Sequence, residues 1–359
     1  MNGAIVHHGT ETPEPPETPY EEVAVTGGAG FVGRHLVTAL ALLSRKTTVV
    51  DHAPLPAALA ALPGVRHVHA DLRDYGETLL ALQNADAVFH LAGNASGTES
   101  VADPRRDFQL NALGTCNVGN ACLELGVRRL VYLSSAIVYG TPRHSPIRED
   151  HPTQPFLPYG ASKLSGELTL RSLYATAGLP VVIGRSFVVY GPGEDPRRAG
   201  GEVSQFLRWH LNEQPIPVVG DIDRKRRDFI HVEDLCRALI TLAARGADGE
   251  TYNLGTGTAV SMRELADAVG AATGRPALLS ADTSSLADSF TLLADVGRLQ
   301  GLGFAPRVTL ADGLTGLAGL LGPFPEVPSA RAVFRREAPP RRRLTPAAAG
   351  GTREEARTC

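Results

Sequence analysis

The stretch VAVTGGAGFVGRHLV, Val23 to Val37, decides the fold. Its first four residues are apolar or β-branched and read as a buried strand, and from Gly30 onward apolar residues recur at helical spacing. Between the two stand Gly27, Gly30 and Gly33, three positions apart. Each glycine has its own reason: the chain turns tightly, the backbone must come close to a pyrophosphate, and the helix must pack against the strand. Phe31 and Val32 open the helix and are placed with the glycines as dinucleotide contacts. Strand, glycine turn and helix in this order open a Rossmann-type unit.

Outward from that unit, short β-branched runs alternate with longer helical segments, the pattern of βαβ units and a parallel sheet. Strands are predicted near Val23 to Thr26, Thr47 to Asp51, Val65 to His69, Ala87 to His90, Arg129 to Ser134 and Val181 to Arg185. The clearest helices are Gly30 to Leu43, Asp103 to Leu125 and Tyr159 to Ala177. After Val188 the alternation gives way to shorter elements, with helices near Glu202 to Asn212 and Ser261 to Thr273 and a strand-to-helix unit from Phe229 to Ala244. The expected class is α/β: a Rossmann-type doubly wound parallel sheet with a smaller C-terminal α/β substrate lobe. In residue numbers, 1–20 form a disordered leader, 21–187 a nucleotide domain to which 229–258 return, 188–228 and 259–322 the substrate lobe, and 323–359 a disordered tail.

Composition narrows the partners. Of 359 residues 43% are apolar and 20% charged, and the formal net charge is −3. A globular chain without a basic stripe is not expected to bind nucleic acid or an anionic membrane. Cys116, Cys122, Cys236 and Cys359 form no CxxC pair and have no histidine at metal spacing, so no metal site is expected. No apolar run approaches the roughly 20 residues of a membrane span, and the cytoplasm is the expected location.

Asp51 ends the second predicted strand 18 positions after Gly33, close to the roughly 20-residue offset of the carboxylate that binds the adenosine ribose. A carboxylate there repels a 2′-phosphate and favours NAD over NADP, the lesser alternative being a plain strand-end cap. Asp71, with Leu72 beside it, follows the third strand and is placed at the adenine edge. Leu91, Ala92 and Gly93 follow the fourth, where small residues let a cofactor cross the sheet end.

Tyr159 and Lys163 stand four apart and share one helical face. An ammonium beside a phenol favours the phenolate, so Lys163 is expected to lower the proton affinity of Tyr159 and make it a general acid or base. About 25 residues upstream, Ser134 and Ser135 close the fifth strand at the carboxyl edge of the sheet, where ligands sit in such folds.

Together the motifs TGGAGFVG, DLRD, HLAG, DPRRDFQLNALGT, LSSAIVYG, YGASK, RSFVVYGPG, RRDFIHVEDL, YNLGTG and LGFAP, running from Glu22 to about Leu321, resemble the extended short-chain dehydrogenase/reductase family. Within it the likeness is to the NAD-dependent nucleotide-sugar epimerases and dehydratases, UDP-sugar 4-epimerases above all. The resemblance implies Tyr159 as catalytic acid/base, Lys163 on the nicotinamide ribose, Ser135 sharing the substrate proton and Asn111 in the cofactor region. It further implies Arg227 on a substrate phosphate and a homodimer built on the helices at Asp103 to Leu125 and Tyr159 to Ala177. Departures narrow the chemistry. Ala136 and Ile137 replace the acidic pair of the family's dehydratases, and Ile137 replaces the glutamate of its decarboxylases. Oxidation and reduction at one carbinol remain, as epimerisation or as keto-sugar reduction, with a non-catalytic NAD sensor as the alternative outside enzymology. Val188 and Ser285 stand where the family carries polar phosphate contacts, which leaves Arg227 as the matched cation, with Arg224 and Arg226 beside it.

Overall fold

The computed structural model describes residues 19–196, 201–283 and 288–327. Residues 1–18 of the expected leader and 328–359 of the expected tail lie outside them. The strands are, in chain order, β1 (Glu22–Thr26), β2 (Lys46–Val50), β3 (Val65–Val68), β4 (Ala87–His90), β5 (Arg129–Ser135), β6 (Val181–Ser186) and β7 (Val188–Tyr190). They continue with β8 (Ile216–Val219), β9 (Arg226–Arg227), β10 (Phe229–His231), β11 (Thr251–Leu254), β12 (Val260–Ser261), β13 (Leu279–Asp282) and β14 (Thr291–Leu292).

Seven of these form one parallel sheet in the order β11-β6-β5-β4-β1-β2-β3. Its inner strands β1, β4, β5 and β6 are buried on both faces because helices cover both, as a parallel sheet requires, while the edge strand β3 is only partly buried. On one face Leu36, Val37 and Leu40 of the helix Phe31–Leu40 pack with Leu235, Leu239 and Leu242 of the helix Val232–Arg245. On the other, Val118, Ala121 and Cys122 of Gly114–Glu124 meet Leu170 of Pro158–Ala177. The strand order reverses between β1 and β4, so the crevice for a ligand opens beyond their carboxyl ends. A separate cluster of Val203, Phe206, Leu207, Ile216, Val218, Met262, Leu265, Val269, Leu314 and Leu317 forms the core of the smaller lobe. No described helix is long and apolar enough to cross a membrane.

Three expectations are corrected. The first helix ends at Leu40 rather than at Leu43: Ala41 still donates to the Val37 carbonyl, but Leu42 and Leu43 turn to the tighter bonds to Ala39 and Leu40. The predicted helix over Asp103 to Leu125 is interrupted: Pro104–Phe108 leads into a π-helical turn, Gln109–Leu113, before Gly114–Glu124 resumes. The wider turn accommodates one extra residue without ending the helix, and Asn111 lies in it. The chain is also ordered beyond the expected ends. Tyr20 is buried with its hydroxyl donating to the Ala243 carbonyl, and the carbonyls of Pro325 and Glu326 accept from Asn212 and Arg208.

Candidate active site

The glycine turn is shaped by what a side chain would hit. Gly27 has φ +72°, and a Cβ on it would lie 2.7 Å from the Ala92 nitrogen. A Cβ on Gly33 would lie 2.1 Å from the Gly27 carbonyl oxygen. Gly30 caps the helix without a side-chain bond, and no acidic residue fills the first turn. The first-turn N–H groups therefore face the crevice with their partial positive charge, an anion cradle by construction. Phe31 and Val32 pack partly buried against the core behind the turn.

Asp51 braces the same turn. One carboxylate oxygen accepts from the Ala29 amide at 3.0 Å and the other from the Ala53 amide at 2.9 Å. The capping role and a ligand role are compatible, since each oxygen has a second lone pair. Asp71 differs from the expectation of an acceptor open to a ring edge: Arg73 Nε is bonded to its two oxygens at 2.9 and 3.0 Å. The Leu72 carbonyl accepts from Asn117 at 2.8 Å and its side chain packs beneath.

At the end of β4, His90 is buried between hydroxyls, with Thr26 Oγ1 at 2.7 Å from Nδ1 and Thr115 Oγ1 at 2.9 Å from Nε2. Burial pushes its pKa down to about 3, with the Lys163 charge adding, so the ring is neutral. Leu91 and Ala92 are partly exposed, and Gly93 (φ +147°) leaves room that a Cβ would take from Asn111 Oδ1, at 2.2 Å. The Asn111 amide nitrogen donates among the Asn94 carbonyl, Asp107 Oδ1 and Ser162 Oγ at 3.0 to 3.2 Å. Its Oδ1 is buried and has no hydrogen-bond partner among the described residues. A buried acceptor without a donor costs about 1–3 kcal/mol unless a ligand supplies one. Together with the glycine cradle it fits a dinucleotide that reaches across the sheet end.

Tyr159 and Lys163 lie in the first turns of the helix Pro158–Ala177, opened by Pro158 at a position that tolerates a missing N–H. Ser135 caps the short 3₁₀ turn Ala136–Tyr139, its hydroxyl accepting from the Ile137 amide at 3.4 Å, and the same hydroxyl faces the Tyr159 phenol. Lys163 is 5% exposed and its ammonium lies 4.6 Å above the Tyr132 ring. Burial pushes Lys163 down to about 8, against the opposing charges of Glu167 and Asp107. The expected lowering of Tyr159 by Lys163 is not found. Burial pushes the phenol up to about 12, opposed by the Ser135 hydroxyl and reinforced by the Asp107 charge. The ammonium is engaged with the Tyr132 face instead.

Sequence reasoning missed the layer behind the pair. Glu167, one turn beyond Lys163, is buried against Arg185, whose Nε and Nη2 reach Oε1 and Oε2 at 2.9 and 2.6 Å, and Ser134 donates to Oε1 at 2.5 Å. The Arg185 guanidinium lies 4.6 Å from the Tyr139 ring, and Tyr139 donates to Asn253 Oδ1 at 2.7 Å. The i,i+4 spacing of Tyr159, Lys163 and Glu167 was the available signal for this layer.

In the smaller lobe Arg227 is buried and already occupied. Its guanidinium bonds Asp288 Oδ1 at 2.7 Å and the Phe290 carbonyl at 2.8 Å, and lies 3.5 Å from Glu202. Lys225 shares Asp288 at 2.6 Å. Arg226 is paired with Glu264 at 2.8 Å. Val188 is partly buried, and Ser285 lies outside the described residues.

Beyond this geometry, the sequence profile of the NAD-dependent epimerase/dehydratase family matches residues 23–255. The chain belongs to that family. UDP-glucose 4-epimerase of Mycolicibacterium smegmatis is 34% identical to this family member over 303 residues, 81% of this chain and 95% of the relative. A dTDP-glucose 4,6-dehydratase of an Actinoplanes species is 32% identical over 308 residues, 82% of this chain and 95% of the relative. Among solved structures, UDP-glucose 4-epimerase of Thermus thermophilus in complex with NAD superposes with a TM-score of 0.73 at 31% identity, covering 83% of this chain and 98% of the other. This epimerase/dehydratase is therefore an NAD-dependent enzyme with the family's Rossmann fold.

Proposed function

We propose that the enzyme epimerises a nucleotide sugar, 4-epimerisation of a UDP-sugar being the reaction that the site supports best. The observation that carries this reading is the convergence of Ser135, Tyr159 and Lys163 at a strand end followed by the apolar Ala136 and Ile137. Elimination of water needs an acid and a base at adjacent carbons, and the second pair of groups is missing here.

NAD, when bound, supplies the hydride acceptor and donor for oxidation and re-reduction of the C4 carbinol. Gly27, Gly30 and Gly33, with Phe31 and Val32, hold its pyrophosphate, and Asp51 takes the adenosine ribose. Asp71 and Leu72 border the adenine, Leu91, Ala92 and Gly93 let the cofactor cross the sheet end, and Asn111 Oδ1 accepts from it. Tyr159 removes the proton of the substrate hydroxyl and later returns it, with Ser135 sharing that hydroxyl. The phenol at about 12 is protonated at neutral pH, so positive charge beside it is needed to release the proton. The Lys163 ammonium, which rests over the Tyr132 ring, would have to turn towards the phenol to supply that charge. Arg227 binds a substrate phosphate by exchanging Asp288 or Glu202 for it.

In the domain reading, 21–187 with 229–258 hold the cofactor, and 188–228 with 259–322 hold the sugar nucleotide. A homodimer is supported by apolar side chains left exposed on the two helices it would use: Phe108 (54%), Leu113 (42%), Leu168 (60%) and Tyr174 (40%).

Asp51→Ala is expected to narrow the preference for NAD over NADP, read as the ratio of the two dissociation constants by calorimetry. An unchanged ratio removes Asp51 from cofactor selection. The reaction class is tested by incubating the purified protein, without added cofactor, with a panel of nucleotide sugars. Stereochemical inversion seen by NMR is expected, and turnover only after addition of reduced cofactor would select a keto-sugar reductase.

A further inference from the structure

Asp107 is 2% exposed, and among the described residues no cation stands within ion-pair distance of it. Three donors hold it: Asn94 Nδ2 at 2.7 Å, Asn111 Nδ2 at 3.1 Å and Ser162 Oγ at 2.6 Å. They come from three different elements. Asn94 follows β4, Asn111 lies in the π-helical turn, and Ser162 sits on the helix of Tyr159 and Lys163. A buried carboxylate satisfied by neutral donors keeps its full charge within a medium that screens it weakly.

We propose that Asp107 is a positioning residue for the Tyr159–Lys163 pair: its carboxylate ties the cofactor side of the crevice to the catalytic helix and sets one uncompensated negative charge beside the pair. The inference rests on the reading of Tyr159 and Lys163 given above. Its structural half is visible in Asn111, whose amide nitrogen is fixed by Asp107 and Ser162 so that Oδ1 is left towards Gly93. Its electrostatic half follows from the other groups around the pair. Lys163 is faced by the Tyr132 ring from β5, His90 from β4, Glu167 on its own helix and Asp107 from Pro104–Phe108. Tyr159 is faced by Ser135, Tyr132 and Asp107. His90 is neutral, and the charge of Glu167 is matched by Arg185. Asp107 is the unmatched anion of the set, and a nearby anion favours the protonated form of both lysine and tyrosine.

The test uses the ligand-free protein and does not depend on turnover. The chain holds three lysines, Lys46, Lys163 and Lys225, so isotope-labelled lysine gives three NMR side-chain signals, that of Lys163 being the one lost in Lys163→Arg. The wild-type signal is expected to titrate at about 8. In Asp107→Asn the midpoint should fall by about half a unit or more, and in Asp107→Glu, which keeps the charge, it should return towards wild type. Unmoved Lys46 and Lys225 signals report an intact fold, and Asp107→Ser carries the same comparison if the Asn variant does not fold. A Lys163 midpoint that stays at the wild-type value in the folded charge-free variant overturns the proposal. Absence of epimerase activity would defeat the proposed function and leave this titration as it stands.

Discussion

Tyr159→Phe is expected to lower turnover by roughly 10²- to 10⁴-fold, the contribution of a positioned general acid/base, while leaving the fold and NAD affinity unchanged. The substitution removes the phenolic oxygen alone. The ring stays, and the helix keeps the Ser162 bond to Asp107 and the Glu167–Arg185 pair that hold its first turns. Steady-state kinetics beside calorimetric NAD binding separate the two readouts. Turnover within a factor of about three of wild type would remove Tyr159 from the proton path, since a general acid/base contributes far more.

Glu167→Ala is expected to destabilise the protein by about 3–5 kcal/mol, the cost of leaving a buried charge without its partner. Glu167 and Arg185 side chains are 1% and 3% exposed, so water cannot replace the lost carboxylate. The Ser134 hydroxyl loses its acceptor as well. Urea unfolding at neutral pH measures the loss as a lower midpoint at unchanged slope. Replacing both partners by methionine should cost less than the single change, because no orphaned ion remains. A loss under about 1 kcal/mol would put the pair in the class of exposed ion pairs and contradict its role as the rigid backing of the catalytic helix.

What was legible in the sequence was local. The glycines of the first turn and the i,i+4 placement of Tyr159 and Lys163 are read from neighbours a few positions apart, and backbone geometry dictates both. The π-helical turn was not legible, because apolar periodicity over Asp103 to Leu125 hardly changes when one turn widens. Its consequence, Asn111 brought to Asp107 and Ser162, joins residues up to 55 positions apart. Arg185 and Glu167, 18 positions apart, meet across a strand and a helix, and either alone reads as an ordinary surface charge. The ionisation of Tyr159 was misjudged for the same reason. Spacing shows that an ammonium is near, but burial and the Asp107 charge, which only the packed structure reveals, act more strongly on the phenol. The resemblance places Arg227 on a substrate phosphate, and nothing near it in sequence announces that it is held by Asp288, 61 positions on.

The central claim is that one carbinol is oxidised and reduced at the same carbon with no other bond of the sugar broken. It is tested most directly with a UDP-sugar deuterated at C4, incubated with the purified enzyme without added cofactor and followed by NMR and mass spectrometry. The account predicts a product of unchanged mass, inverted at C4 and still carrying the label there. A product lighter by one water, a product that has lost the deuterium to solvent, or a keto sugar that accumulates with reduced cofactor would contradict it.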